Sequence, residues 1–163
     1  MKTRGFEVIS SYADEGIHIP ERKTSGSSGY DLEASDDCII WPHVVTAVPT
    51  GLKAYMQDDE CLFIFIRSSM AFKKNITLAN SVGIIDSDYY NNPDNEGHLI
   101  LCLINNNDKA ITIKKGDRIA QGIFIKYLTC DNDCSDVQRT GGECKIVCVN
   151  RLLHKSNLSP IIG

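Results

Sequence analysis

Two stretches, Cys61-Leu62-Phe63-Ile64-Phe65-Ile66 and Leu99-Ile100-Leu101-Cys102-Leu103-Ile104, contain no polar side chain. A strand turns successive side chains to opposite faces, so a strand that is apolar at every position needs cover on both faces. Neither run approaches the ~20 apolar residues that cross a bilayer. They predict strands in the middle of a sandwich or barrel, and the rest of the chain has to supply the layers around them.

The remaining apolar patterning is short and strand-like as well. Strands are expected at Gly5–Ser10, Tyr30–Ala34, Cys38–Ile40, Val44–Pro49, Leu52–Met56, Leu78–Val82, Ala110–Ile113 and Arg118–Tyr127, besides the two central runs, the second reaching Asn105. Turn signals separate several of them, among them Thr24-Ser25-Gly26-Ser27-Ser28-Gly29, Pro49-Thr50-Gly51, the Asn91–Gly97 stretch and Lys115-Gly116-Asp117. Ser68–Asn75 is the one helical segment, with Ser68 or Ser69 as its cap. Short strands with a single helical turn indicate an all-β fold, an antiparallel jelly roll or β-sandwich. At 163 residues the chain holds one domain. Its pattern divides into a β domain over 1–130 and a terminal arm over 131–163, where an acidic loop leads into Arg139-Thr140-Gly141-Gly142 and an apolar-alternating tail.

Composition closes off other classes. Apolar residues make up 42% and charged residues 23%, which excludes a disordered chain, a collagen-like fibre and a coiled coil. A net charge of −4, with no Lys/Arg run longer than two, excludes a uniformly basic nucleic-acid surface. Any anion site must use a few placed basic groups and backbone N–H donors. No apolar signal core follows Met1-Lys2-Thr3-Arg4, so a soluble cytoplasmic protein is expected, with no membrane contact and with the nucleus open to a eukaryotic source. The seven cysteines then default to reduced thiols. Cys130 and Cys134, with Cys144 and Cys148, form two C-x3-C pairs, a weaker zinc pattern than C-x2-C. His18, His43, His98 and His154 stand far apart, without ligand spacing.

Four segments join Gly, Asp, Ser and Arg beside the expected strands: Gly29-Tyr30-Asp31-Leu32, Arg67-Ser68-Ser69, Gly83-Ile84-Ile85-Asp86-Ser87-Asp88-Tyr89 and Gly116-Asp117-Arg118-Ile119-Ala120-Gln121. Each has a plain structural reading as an Asx turn, a Gly-Asp turn or a helix cap. In this order and rough spacing, however, the set resembles the trimeric dUTPase family, which hydrolyses dUTP to dUMP and pyrophosphate. The related dCTP deaminases share the jelly roll and an R-S-S segment but lack the I-D-S-D-Y arrangement.

The resemblance implies a role for each matching residue. Asp86 would polarise a water for in-line attack on the α-phosphorus; a carboxylate is ionised at neutral pH and can take the water's proton. Tyr89 would pack on the deoxyribose and exclude a 2′-hydroxyl. Asn80 and the backbone of Gly83, Ile84 and Ile85, with Ile100 across a hairpin, would read the uracil edge, where an unpaired buried partner penalises cytosine. Arg67, Ser68, Ser69 and Gln121 match phosphate-binding positions, while Asp31, Asp88, Asp117 and Arg118 are supporting charges. Mg²⁺ would be held mainly by substrate phosphates and waters, with no direct protein ligand, and would neutralise charge on the leaving pyrophosphate. The implied partners are dUTP and two further copies of the chain, a homotrimer with active sites between subunits. The implied role is to keep uracil out of DNA and to supply dUMP for dTMP synthesis.

The pattern departs from the family at the arm, which usually reads R-x-G-G-F-G-S-T-G. Arg139, Gly141 and Gly142 are present, but Glu143 stands where Phe is expected, and Cys144–Val149 reads as a strand. Losing a base-stacking aromatic costs ~1–3 kcal/mol, so a working but weakened hydrolase is expected, with Arg139 still able to act on the γ-phosphate. The alternative from another class is a dUTP-sensing regulatory module whose altered tail engages a protein partner.

Overall fold

The computed structural model of the chain describes residues 2–135, 137 and 139. Eleven strands run in the order β1 (Gly5–Val8), β2 (Tyr30–Glu33), β3 (Cys38–Ile40), β4 (Val45–Pro49), β5 (Leu52–Tyr55), β6 (Glu60–Ile66), β7 (Ile76–Leu78), β8 (Gly83–Asp86), β9 (Ile100–Asn105), β10 (Ile111–Ile113) and β11 (Arg118–Lys126). One helix, α1 (Ser68–Lys74), follows β6, and single 3-10 turns lie at Ser10–Tyr12 and Ser87–Tyr89.

All strand pairs are antiparallel, in the sheets β2-β11-β6-β8, β4-β9-β7, β1-β5 and β10-β3. The two runs without a polar side chain become β6, between β11 and β8, and β9, between β4 and β7. Central strands are covered on both faces, and Leu62, Leu101 and Leu103 are accordingly buried. These residues join Leu32, Ile40, Val48, Ile64 and Ile113 in one hydrophobic cluster. The antiparallel jelly-roll class expected from the pattern is the class observed.

Two expectations shift. The strand placed at Leu78–Val82 lies earlier, at Ile76–Leu78, where buried Ile76 and Leu78 alternate with exposed Thr77. The chain then turns over Asn80 and Ser81, with Ser81 at φ 64° and the Val82 N–H donating to the Asn80 carbonyl at 2.7 Å. Gly83–Asp86, expected as a motif outside any strand, forms β8 with Gly83 and Ile85 buried and Ile84 and Asp86 exposed. The alternation was there, but a glycine and an aspartate at its ends read as turn residues. The Cys144–Val149 segment lies outside the described residues.

Candidate active site

Register on β6 places the motifs. At its far end, Ile66 pairs with Ala120 and Phe65 with Gln121, and Gln121 in turn pairs with Asp31. Asp31, Gln121 and the Arg67-Ser68-Ser69 turn therefore lie at one end of three neighbouring strands. Asp31 points one carboxylate oxygen at Arg67 Nε and the other at Arg118 Nη1, each at 3.0 Å. Its side chain is 14% exposed, so water screens these pairs less than it screens the pairs on the outer surface. With both oxygens occupied, Asp31 aims two guanidinium groups rather than binding a cation.

The Arg67–Ser69 turn opens α1, with Arg67 extended at φ −70° and ψ 143° as the N-terminal cap and the Met70 N–H donating back to the Arg67 carbonyl at 2.9 Å. Ser68 is exposed and Ser69 partly so. Gly29 brings Gln121 close: a Cβ at Gly29 would stand 2.8 Å from Gln121 Oε1. Asp117 serves the backbone, its carboxylate accepting from the Lys114 N–H at 3.0 Å, with Lys74 Nζ 3.9 Å away. Among the supporting charges its plain reading, a turn residue, is the one its contacts fit.

The other motif lies toward the opposite end of β6, where Asp86 pairs with Cys61. Among the described residues β8 has a strand neighbour on one side, so its other edge offers backbone donors and acceptors. Asp86 and Asp88 are exposed and receive the same cation: Arg139 Nη2 donates to Asp86 Oδ2 at 2.6 Å and Nε to Asp88 Oδ1 at 2.9 Å. The hydrogen bond that Arg139 donates to Asp88, aided by the charges of Asp88 and Asp86, raises the Arg139 pKa above its ordinary value. Tyr89 is buried, its hydroxyl donates to the His98 carbonyl at 3.2 Å, and the Arg139 guanidinium carbon lies 5.8 Å from its ring centroid. Arg139, which the resemblance assigns to the γ-phosphate, stands beside this pair of carboxylates.

One expectation is corrected. Ile100 does not face Gly83–Asp86 across a hairpin. It opens β9 and pairs with Pro49 on β4, while β8 pairs with β6 in another sheet. The chain between Tyr89 and Ile100 crosses from one sheet to the other instead of folding back. Asn80 is exposed in the turn before β8.

Sequence reasoning also missed the residues that hold Tyr89. Asn92, Asn95 and His98 lie in the loop after it, and an Asn-rich loop carries no signal beyond that of a turn. No group of His, Cys, Asp and Glu fit to hold a metal occurs among the described residues, and Cys130 and Cys134 are exposed there as free thiols. Cys144 and Cys148 fall outside them.

The molecule is thus an antiparallel jelly roll with two arginines held by one carboxylate at one strand end and an exposed carboxylate at the end of an edge strand. The dUTPase family model matches residues 15–147. Curated deoxyuridine 5′-triphosphate nucleotidohydrolases are similar along their length: one from Lactococcus lactis is 49% identical over 144 residues, covering 87% of this chain and 96% of the relative. One from Desulfitobacterium hafniense is 35% identical over 135 residues, covering 80% and 85%. The crystal structure of a Streptococcus mutans dUTPase superposes with a TM-score of 0.75 at 46% identity, over 78% of this chain and 98% of that one. The chain belongs to the dUTPase family.

Proposed function

We propose that this protein hydrolyses dUTP to dUMP and pyrophosphate, with Asp86 as the base. The observation that carries the reading is the exposed Asp86 carboxylate at the end of an edge strand, beside backbone free to pair with a base. Asp86 accepts a proton from a water as its oxygen attacks the α-phosphorus, a step that general-base catalysis accelerates ~10²–10⁴-fold. The open edge of Gly83–Ile85, with Asn80 before it, reads uracil; backbone groups suit this because they are fixed. Tyr89 sets the sugar, and the ring face near Arg139 is the one a deoxyribose would take.

The phosphates fall to Arg67, Ser68, Ser69 and Gln121, with Arg118 and Asp31 holding the geometry. Along β6 the two motifs are separated by the span from Cys61 to Ile66, ~17 Å at 3.4 Å per residue. A triphosphate whose α-phosphorus lies at Asp86 does not reach the Arg67 turn of the same chain. This split supports sites completed between copies and hence the homotrimer. Arg139, at the start of the 131–163 arm, holds Asp86 and Asp88, and it is the residue that would act on the γ-phosphate of dUTP.

Magnesium fits this arrangement only as a companion of the substrate. Asp31 has both oxygens on arginines and is committed to cations of the chain itself, and no group of carboxylates fit to hold a metal occurs among the described residues. Bound Mg²⁺ would supply charge neutralisation on the pyrophosphate. Among the described residues no helix is long and apolar enough to cross a membrane.

The test is pyrophosphate release from dUTP in magnesium, with dCTP, dTTP and UTP as controls. Release from dUTP alone is expected. Equal release from dCTP, or none from any, rejects the reading.

A further inference from the structure

We propose that the loop after the Gly83–Tyr89 motif locks the Tyr89 ring, and that Asn95 and Asn92 are thereby positioning residues for deoxyribose selection. The proposal rests on the reading of Tyr89 as the sugar-contacting ring and adds the device that holds it.

The loop grips Tyr89 at both ends. Asn95 Nδ2 donates to the Tyr89 hydroxyl at 2.9 Å, and that hydroxyl donates to the His98 carbonyl at 3.2 Å, so its donor and an acceptor site are both used. Asn92 Nδ2 donates to the Tyr89 backbone carbonyl at 3.0 Å and to Asn95 Oδ1 at 2.8 Å. Asn92 Oδ1 accepts from the Asp94 and Asn95 N–H groups at 3.0 and 3.2 Å, and Asn95 Oδ1 accepts from Gly97 N–H at 3.0 Å. Two amide side chains thus organise the loop and hand its order to one phenol.

The backbone is set to the same end. Asn91, Glu96 and Gly97 have φ of 56°, 60° and 81°, left-handed values that need surrounding structure to persist. A Cβ on Gly97 would lie 2.5 Å from the Tyr89 carbonyl oxygen, so only glycine lets the loop close so tightly on that residue. Lys53 of β5 ties the loop down from outside, Nζ donating to Asn91 Oδ1 at 2.6 Å and to Glu96 Oε2 at 3.3 Å. A turn needed only to link β8 to β9 would have no call for a donor on the phenol. A ring that must reject one extra hydroxyl does, because a ring free to tilt makes room for it.

The experiment measures kcat/KM for dUTP and for UTP in the parent, Asn95→Ala, Tyr89→Phe and the double variant, together with Tyr89 ring-flip rates by NMR on ring-labelled protein. Asn95→Ala, which takes one hydrogen bond from the phenol, is expected to lower the dUTP/UTP ratio by about fivefold; Tyr89→Phe, which takes two, lowers it at least as much, and the double variant falls no further than Tyr89→Phe. Tyr89 should flip slowly in the parent and fast in Asn95→Ala. An unchanged ratio, an additive double variant or an unchanged flip rate overturns the proposal. If Asn95→Ala does not fold, Tyr89→Phe alone must relax the ratio, and its failure to do so overturns the proposal equally. A parent that leaves dUTP intact instead overturns the functional reading, while the flip rates still decide whether Asn95 locks the ring.

Discussion

Asp31 illustrates how one carboxylate can ready two arginines for a phosphate that it would not itself meet. Its two oxygens fix Arg67 and Arg118, so the guanidinium groups would lose little freedom on binding a phosphate. Replacing Asp31 with Asn keeps the shape and removes the charge that aims both arginines. The expected result is a KM for dUTP raised about tenfold with kcat changed much less, read from steady-state pyrophosphate release; loss of one charge-assisted hydrogen bond is worth ~1.5–3 kcal/mol. Asp86 carries the opposite expectation. Asp86→Asn should cut kcat by ~10²–10⁴-fold and leave dUTP binding by calorimetry largely intact, since the amide keeps the volume and loses the base. Turnover at the parent rate would remove Asp86 from the mechanism.

At the scale of elements, β6 matters most. It is the strand whose two ends carry the two motifs, through Arg67 beyond Ile66 and through the Asp86–Cys61 pair. Its Leu62 is fully buried and also packs against Gly122 of β11, where a Cβ would lie 3.0 Å from Leu62 Cδ1. Leu62→Ala is expected to cost ~2–5 kcal/mol in urea unfolding, by lost transfer energy plus the cavity left behind. The apolar run Cys61–Ile66 within β6 announced its central place without any structure, as did Ile100–Ile104 within β9. The site around Asp86 was legible as chemistry but not as an element: Gly83 and Asp86 carry turn-forming residue types, and only pairing with β6 makes them strand. The Ile100 placement failed for a related reason, because a strand's partner is a long-range choice that its own residues do not encode.

At the scale of the whole molecule, His98 ties stability to pH. It is buried, with its ring 5.4 Å from that of Tyr12, and its Nε2 accepts the Gly51 N–H at 3.0 Å, so the ring is neutral and carries its proton on Nδ1. Burial pushes its pKa from 6.5 down to about 4, against the smaller upward pull of Asp36 and Glu96. The unfolded chain therefore binds a proton that the folded one refuses between pH 6.5 and about 4. Folded stability is whole above that window and falls as pH drops through it, by about 3 kcal/mol at 1.36 kcal/mol per pKa unit. His98→Gln, which keeps an acceptor for Gly51, should flatten the slope of urea stability against pH across the window; an unchanged slope would assign the acid loss to carboxylates instead. The split of the motifs along β6 has its own consequence for assembly. The protein is expected to sediment at about 54 kDa, three times the 18.1 kDa chain, and to lose specific activity on dilution as copies separate. Full activity in a monomer would place the complete site on one chain.

By itself the sequence determined the all-β class and the two central strands and proposed the residue types of an active site, because these follow from local facts: a strand covered on both faces is apolar on both, and a base, a phosphate clamp and a turn each need particular side chains. Tertiary structure alone decided which strand stands at the sheet edge, that Asp31 serves two arginines at once, that Arg139 rests on Asp86 and Asp88, and that an asparagine loop closes on Tyr89. Those are pairings between residues far apart in the chain, and the energy that selects them comes from burial and hydrogen bonds that exist only once the sheets have packed.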